Sequence, residues 1–163
     1  MKVIFLDIDG VLNCKRTQNA RGLPYIVDDK LLKRLFTLLE RTDAQVVLSS
    51  TWRYDPAGLF SAKRYGIPFL DVIPDMPGKP RRTEITSWID ANGEVERFAV
   101  IDDEDDELDD LPLFQTSCWT GLTDDIVRGT ADYLNGKTDK DMRRNRFIRL
   151  MQNIHACFKG HEG

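Results

Sequence analysis

The stretch that most constrains the fold is an apolar run that ends in two acids and a glycine, KVIFLDIDG at residues 2–10. A continuous apolar run of this length is typical of a strand buried on both faces of a parallel sheet. Side chains two positions apart point the same way on a strand, so we expect Asp7 and Asp9 to converge just beyond its end. Open α/β sheets bind their ligands at that carboxyl edge. The sequence therefore predicts an acidic site directly after the first strand.

Length and composition set the class of protein. A chain of 163 residues is a comfortable single domain with one core, and a net charge of -4 excludes a generally basic, nucleic-acid-coating protein. No apolar stretch is long enough to span a bilayer, so no membrane partner is expected. The three cysteines, Cys14, Cys118 and Cys157, are odd in number and show no metal-type pairing. They indicate reduced thiols and a cytoplasmic location.

Apolar periodicity predicts strands and helices in alternation. The predicted helices cover 28–41, 56–65, 83–91 and 123–134, and the later strands cover 45–48, 68–73, 97–101 and 113–116. We expect Asp28 to cap the first helix. The alternation implies an α/β fold with a mainly parallel sheet and right-handed crossovers.

The C-terminal segment differs in character. Residues 137–163 are rich in Lys and Arg and carry an approximate apolar face, which predicts an amphipathic helix packed on the domain or on a second copy in a homodimer. A basic arm that touches phosphate-rich ligands is the alternative. His155, Cys157 and His161 lack a fourth ligand for zinc. The predicted division is thus a catalytic domain at 1–136 followed by this helix.

Residues 7–12, DIDGVL, resemble motif one of the haloacid dehalogenase (HAD) superfamily of phosphohydrolases. A calcium loop of the EF-hand type also begins Asp-x-Asp, but its twelfth position here is Gln18 instead of the required Glu. The resemblance implies a three-layer Rossmann-like (HAD-like) fold with the first strand central. The intervals between the motifs leave no room for a large cap domain.

The resemblance also implies roles for the first acids and for the serines after the second strand. Asp7 would be the nucleophile, forming an aspartyl-phosphate, while Asp9 would protonate the leaving oxygen and activate water. The backbone carbonyl at the second position is a metal ligand in the family. Motif two corresponds to Ser49-Ser50-Thr51, where Ser50 is the matching phosphate-binding hydroxyl and Ser49 the reserve. The neighbouring Trp52 and Arg53 are either substrate-flanking or ordinary residues.

Motif three of the family is a cation, and three residues compete for it. Lys79 lies in Gly-Lys-Pro, the usual context of the family's lysine, whereas Arg82 has a suitable spacing from the helix start and Arg81 lies between them. We favour Lys79 and keep Arg82 as a second phosphate-binding candidate.

The acidic pair Asp102-Asp103 follows the fourth strand and resembles motif four. Asp103 best matches the family's metal-binding acid, and Asp102 stands beside it. With Asp7 and Asp9 they form the expected metal set, and hard oxygen ligands of this kind suit Mg²⁺. Asp106 is a candidate to orient a metal-bound water, while the rest of the run to Asp110 is expected to be a solvated loop.

The leading hypothesis is therefore a Mg²⁺-dependent phosphatase that hydrolyses a phosphomonoester. A cleft without a cap favours a large substrate such as a nucleic-acid end or a phosphoprotein, although a nucleotide, closure by a partner subunit or closure by the loop at 13–27 remains open. One alternative is a phospho-receiver signalling domain, but its phosphorylated acid follows the third strand. The other is a module of low activity that binds nucleic-acid ends.

Overall fold

The computed structural model describes residues 1–105, 108 and 110–137. Its strands are β1 (Lys2–Leu6), β2 (Gln45–Leu48), β3 (Phe69–Val72), β4 (Arg97–Asp102) and β5 (Leu113–Gln115). Its α-helices are α1 (Asp29–Thr42), α2 (Pro56–Arg64), α3 (Arg81–Ala91) and α4 (Asp124–Leu134), and a short 3₁₀-helix spans Thr51–Tyr54. The predicted alternation of strands and helices is confirmed.

The five strands form one sheet in the order β3-β2-β1-β4-β5, and every pairing is parallel. The first strand is central, as the family resemblance implies. Leu6 is in register with Leu48 of β2 and with Ile101 of β4. The three strands therefore end side by side, which brings the residues that follow them to one edge of the sheet.

Helices cover both faces of the sheet, which gives the three layers of a Rossmann-like fold. On β1, Ile4 and Leu6 belong to a buried cluster with residues of α1, α2 and α4, whereas Val3 and Phe5 pack on the other face with Ile85 and Trp88 of α3. The apolar run of β1 is thus buried on both sides, because alternate side chains feed two separate cores.

Most element boundaries agree with the predicted ones to within two residues. Asp28 caps α1 by accepting from the Lys30 amide at 2.8 Å, and Thr123 caps α4 by accepting from the Ile126 amide at 3.4 Å. The difference that matters is at α3, which begins at Arg81 instead of at residue 83. This earlier start places an arginine in the first helical turn.

Among the described residues no cap domain is inserted between the strands. Only a loop joins β1 to α1, and only the 3₁₀-helix, α2 and β3 lie between β2 and α3. No helix within the described ranges has the length and apolarity to span a bilayer. Of the predicted C-terminal helix at 137–163, only Lys137 is among the described residues. Asp106 also lies outside them.

Candidate active site

The carboxyl ends of β1 and β4 bring three acids together. The Asp7 amide donates to the carbonyl of Ile101 at 3.0 Å, which continues the β1–β4 ladder by one residue. Asp102 then ends β4, and Asp103 follows it. Each of Asp7, Asp102 and Asp103 offers a carboxylate oxygen, and these oxygens all lie within 4.8 Å of one another. Two segments about 95 residues apart in the sequence therefore form one acidic cluster.

Gly10 makes room for the third acid. It has a φ of 72°, in the left-handed region that glycine adopts readily. A Cβ built on it would lie 2.1 Å from Cγ of Asp103, so no side chain fits between the turn after β1 and this carboxylate. The glycine of the DIDG sequence thus serves two purposes, because it turns the chain and lets Asp103 approach the backbone.

Burial and the repulsion between neighbouring acids raise the pKa values of Asp7 and Asp103. Asp7 is only 6% exposed, and burial together with the nearby negative charge of Asp102 raises its pKa from 3.8 to about 7. The Arg81 guanidinium and a hydrogen bond from the Ser50 hydroxyl act in the opposite direction. Burial and Asp102 also raise the pKa of Asp103. The cluster therefore holds more negative charge than its protein surroundings neutralise.

Of the three basic candidates, Arg81 is the one that lines the cleft. Its side chain is 14% exposed, and its guanidinium donates through Nη1 to the fully buried Asp102. Lys79 is exposed in the preceding loop, and Arg82 pairs on the surface with Asp110, where both side chains are about half exposed. Lys79 and Arg82 stay predictions as phosphate ligands, and the geometry favours Arg81 over both.

The two serines after β2 differ in their surroundings. Both are fully buried, but the Ser50 hydroxyl bonds to Asp7, while the Ser49 hydroxyl has no hydrogen-bond partner among the described residues. Arg53 fixes this segment by donating through Nη1 to the carbonyls of Ser49 at 2.7 Å and Ser50 at 3.0 Å. Ser50 is thus the serine whose hydroxyl contacts the acidic cluster, in keeping with its place as first choice for motif two.

The Arg53 side chain is buried and does not line the cleft. Its side chain is 3% exposed and forms an ion pair with Glu84 of α3, itself 4% exposed. Glu84 also accepts from the Met76 amide at 3.0 Å. This pair ties the segment after β2 to the helix that begins with Arg81, so it positions two parts of the site at once.

Two side chains that the sequence analysis did not assign orient Asp9. Trp52 Nε1 donates to Asp9 Oδ2 at 2.9 Å, and Asn13 Nδ2 donates to Asp9 Oδ1 at 2.7 Å. Asn13 Oδ1 accepts from the Gly10 amide at 3.1 Å, which closes the turn. Trp52 is buried, and its ring packs at 4.9 Å from that of Tyr25 in the 13–27 loop. The Asp9 carboxylate is therefore held in one orientation at the mouth of the cluster.

These groups line a cleft of about 470 Å³. Its walls are formed by Asp7, Asp9, Gly10, Asn13, Cys14, Lys15, Thr51, Arg81, Asp103, Glu104 and Cys118. Several of them, including Asp9, Lys15 and Thr51, are exposed, so the cleft opens to solvent. The cations at its walls, Arg81 and Lys15, suit a phosphorylated group once a bound cation offsets the charge of the acids.

The donor set fits a hard divalent cation. Mg²⁺ prefers carboxylate and carbonyl oxygens and retains several waters, and the cluster supplies carboxylate oxygens with no nitrogen or sulfur donor among them. Asp102 is less available than its neighbours because Arg81 and the Glu104 amide (3.1 Å) occupy its two oxygens. A cation near Asp7 and Asp103 would also offset the burial and the repulsion by Asp102 that raise both pKa values.

Residues 3–127 match the family described as the HAD domain in Swiss Army Knife RNA repair proteins. The match covers most of the chain and includes both strands that carry the acids. No curated protein and no solved structure matches the chain.

Proposed function

The chain belongs to this HAD family, and on that premise we propose that it is a Mg²⁺-dependent phosphatase that hydrolyses a phosphomonoester at a nucleic-acid end. The convergence of Asp7, Asp102 and Asp103 beside Arg81 carries the proposal. The family assignment also favours a phosphohydrolase over the phospho-receiver alternative. A nucleotide remains the second substrate candidate, because it presents the same phosphate and base.

In the proposed first step, Asp7 attacks the phosphorus atom of the substrate. The bond from phosphorus to the leaving oxygen breaks, and that oxygen takes a proton from Asp9. In the second step water attacks the phosphorus of the aspartyl-phosphate, Asp9 accepts a proton from this water, and the bond to Asp7 breaks. The hydrogen bonds from Trp52 and Asn13 support this role for Asp9, because they hold its carboxylate without using all of its lone pairs.

Arg81 and Ser50 are proposed to hold the phosphoryl oxygens. Arg81 lies at the N-terminal end of α3, where the guanidinium and the helix terminus both attract negative charge. Magnesium, held by Asp7, Asp103 and the carbonyl of Asp9, would neutralise charge that develops on the phosphoryl group.

The nucleic-acid end is proposed from two observations. The family is described by its occurrence in RNA repair proteins, and the cleft has no cap domain above it among the described residues. A phosphate at the end of a long chain can reach such a cleft, because the described residues include no cap that would enclose the rest of the molecule.

A screen of phosphate release tests the proposal. The substrates are 3′- and 5′-phosphorylated oligonucleotides, nucleotides and sugar phosphates, each with Mg²⁺ and with EDTA. We expect release that depends on Mg²⁺ and is most efficient with the oligonucleotides. Failure to release phosphate from any of them would refute the proposed activity, and a clear preference for sugar phosphates would refute the proposed substrate.

A matched pair of variants tests which basic side chain holds the phosphoryl group. We expect Arg81→Met to lose at least 100-fold in kcat/KM and to be destabilised by about 3 kcal/mol, because it leaves the buried Asp102 carboxylate without its ion pair. Arg82→Met removes only an exposed pair, so its unfolding free energy should change by less than about 1 kcal/mol. Urea unfolding and steady-state kinetics measure both. Equal losses in the two variants would contradict the assignment of Arg81.

A further inference from the structure

One large aromatic side chain beside the cleft has no part in the core or in the proposed reaction. Trp119 lies in the turn after β5 and is 50% exposed. Lys15, a residue of the cleft wall, places its Nζ 4.4 Å from the centre of the Trp119 ring. The residue before Trp119, Cys118, also lines the cleft. An indole and an ammonium group therefore lie together at the rim of a site whose walls are otherwise mostly polar.

The Trp119 turn is fastened to the loop that carries the catalytic acids. The Lys15 amide donates to the carbonyl of Cys118 at 2.8 Å, and the Leu122 amide donates to the carbonyl of Val11 at 2.9 Å. The buried Thr116 hydroxyl donates to the carbonyl of Gly10 at 2.8 Å. Because these bonds hold both sides of the turn against residues 10–15, the backbone that carries the indole has a fixed position relative to Asp7 and Asp9.

The turn itself is also well ordered internally. The Ser117 carbonyl accepts from the Thr120 amide at 3.0 Å and from the Gly121 amide at 2.8 Å. The Ser117 hydroxyl accepts from the Trp119 amide at 3.3 Å. A half-exposed indole on such a support loses little conformational freedom when a flat group packs on it.

We propose that Trp119 and Lys15 form a nucleobase subsite, in which the indole stacks on a base of a phosphorylated oligonucleotide end and Lys15 contacts a backbone phosphate. The subsite rests on the proposed function, since it places the terminal phosphate at Asp7. Stacking on an aromatic side chain is available to every base, and a neighbouring cation adds attraction for the phosphate backbone. The subsite would thus select nucleic-acid ends over sugar phosphates without selecting a base sequence.

The kinetic test compares Trp119→Ala with two controls, Trp119→Phe and Phe60→Ala. Phe60 is also a largely exposed aromatic residue, at 65%, but it lies on α2 and does not line the cleft. The substrates are a phosphorylated trinucleotide, the same molecule with an abasic residue next to the phosphate, and ribose 5-phosphate. We expect Trp119→Ala to raise KM for the intact trinucleotide by about 5- to 100-fold with little change in kcat.

The abasic trinucleotide and ribose 5-phosphate should be hydrolysed equally well by wild type and Trp119→Ala, because neither presents the base. Trp119→Phe should recover most of the affinity, and Phe60→Ala should behave as wild type. An equal loss on all three substrates, or no loss on the intact trinucleotide, would overturn the subsite while leaving the phosphatase assignment in place.

A binding measurement keeps the two proposals separate. Fluorescence anisotropy of a labelled, phosphorylated trinucleotide is recorded with Asp7→Asn protein, with and without Trp119→Ala. A weakening of about 5- to 100-fold by Trp119→Ala supports the subsite even if no phosphate release is found. Equal affinity of the two proteins, or no binding by either, overturns it.

Discussion

Replacing the buried Asp7, the proposed nucleophile, should make the metal-free protein more stable. Asp7 has a pKa of about 7 in the folded protein and an ordinary value of 3.8. Between these values the folded state binds a proton that the unfolded state has lost, so stability falls as the pH rises through this window. Ionised Asp7 therefore opposes folding most strongly above pH 7. An uncharged Asn of the same shape does not carry this cost.

The expected magnitude follows from the shift. At 1.36 kcal/mol per pH unit, the cost of Asp7 is about 4 kcal/mol at pH 8 and about 1.5 kcal/mol at pH 5. In EDTA, Asp7→Asn should thus raise the free energy of unfolding by a few kcal/mol at pH 8 and by clearly less at pH 5. Urea titrations at the two pH values measure the difference, with Asp75→Asn, an exposed acid in the loop after β3, as the matched control.

Magnesium should stabilise the wild-type protein more than Asp7→Asn. A cation that binds the folded state stabilises it by mass action, and ionised Asp7 is one of its proposed ligands. Wild type should therefore gain more stability from saturating Mg²⁺ than Asp7→Asn does. Unchanged or lower stability of Asp7→Asn in EDTA at pH 8 would refute the claim that burial and the charge of Asp102 make ionised Asp7 unfavourable in the folded protein.

Two further predictions concern the supports of the site. Gly10→Ala should raise the Mg²⁺ concentration for half-maximal activity at least 10-fold and lower stability, because its Cβ would collide with Asp103, a proposed metal ligand. Gly22→Ala, with a φ of 60° and nothing within 4 Å, should cost only about 1 kcal/mol of backbone strain. Similar Mg²⁺ dependence in both variants would contradict this prediction. Trp52→Phe should lower kcat about 10- to 100-fold by removing the donor that orients Asp9, the proposed general acid. As the control, Trp88→Phe loses a comparable hydrogen bond of 2.7 Å outside the cleft and should leave kcat unchanged. Equal kcat values of Trp52→Phe and Trp88→Phe would show that the Trp52 donor is unimportant.

The fold was predictable because its evidence is local. The apolar run of β1 ends in DIDG within nine residues, and the caps Asp28 and Thr123 lie directly before the helices that they begin. The order of strands and helices then limits the sheet to a parallel arrangement. The position of Asp102 and Asp103 also follows from a local feature, since both come at the end of an apolar strand.

The side chains that complete the site depend on contacts between distant segments. Trp52 reaches Asp9 across 43 positions, and Arg81 reaches Asp102 across 21. Sequence spacing alone did not identify Arg81 as the basic residue of the site. That choice depends on where α3 begins and on which way its first turn faces. Arg53 was similarly ambiguous, because a buried ion pair with Glu84 leaves no periodic pattern in the sequence.

The most direct test of the central claim is a search for a phosphoryl group on Asp7 during turnover. Wild-type protein with Mg²⁺ is mixed with excess phosphorylated substrate, quenched in acid within milliseconds, digested and mapped by mass spectrometry. We predict one phosphoryl group on the peptide from the end of β1, with fragment ions that locate it on Asp7 and not on Asp9, and none in Asp7→Asn. Phosphate release by Asp7→Asn at the wild-type rate, or a phosphoryl group located on Asp9, would contradict the account.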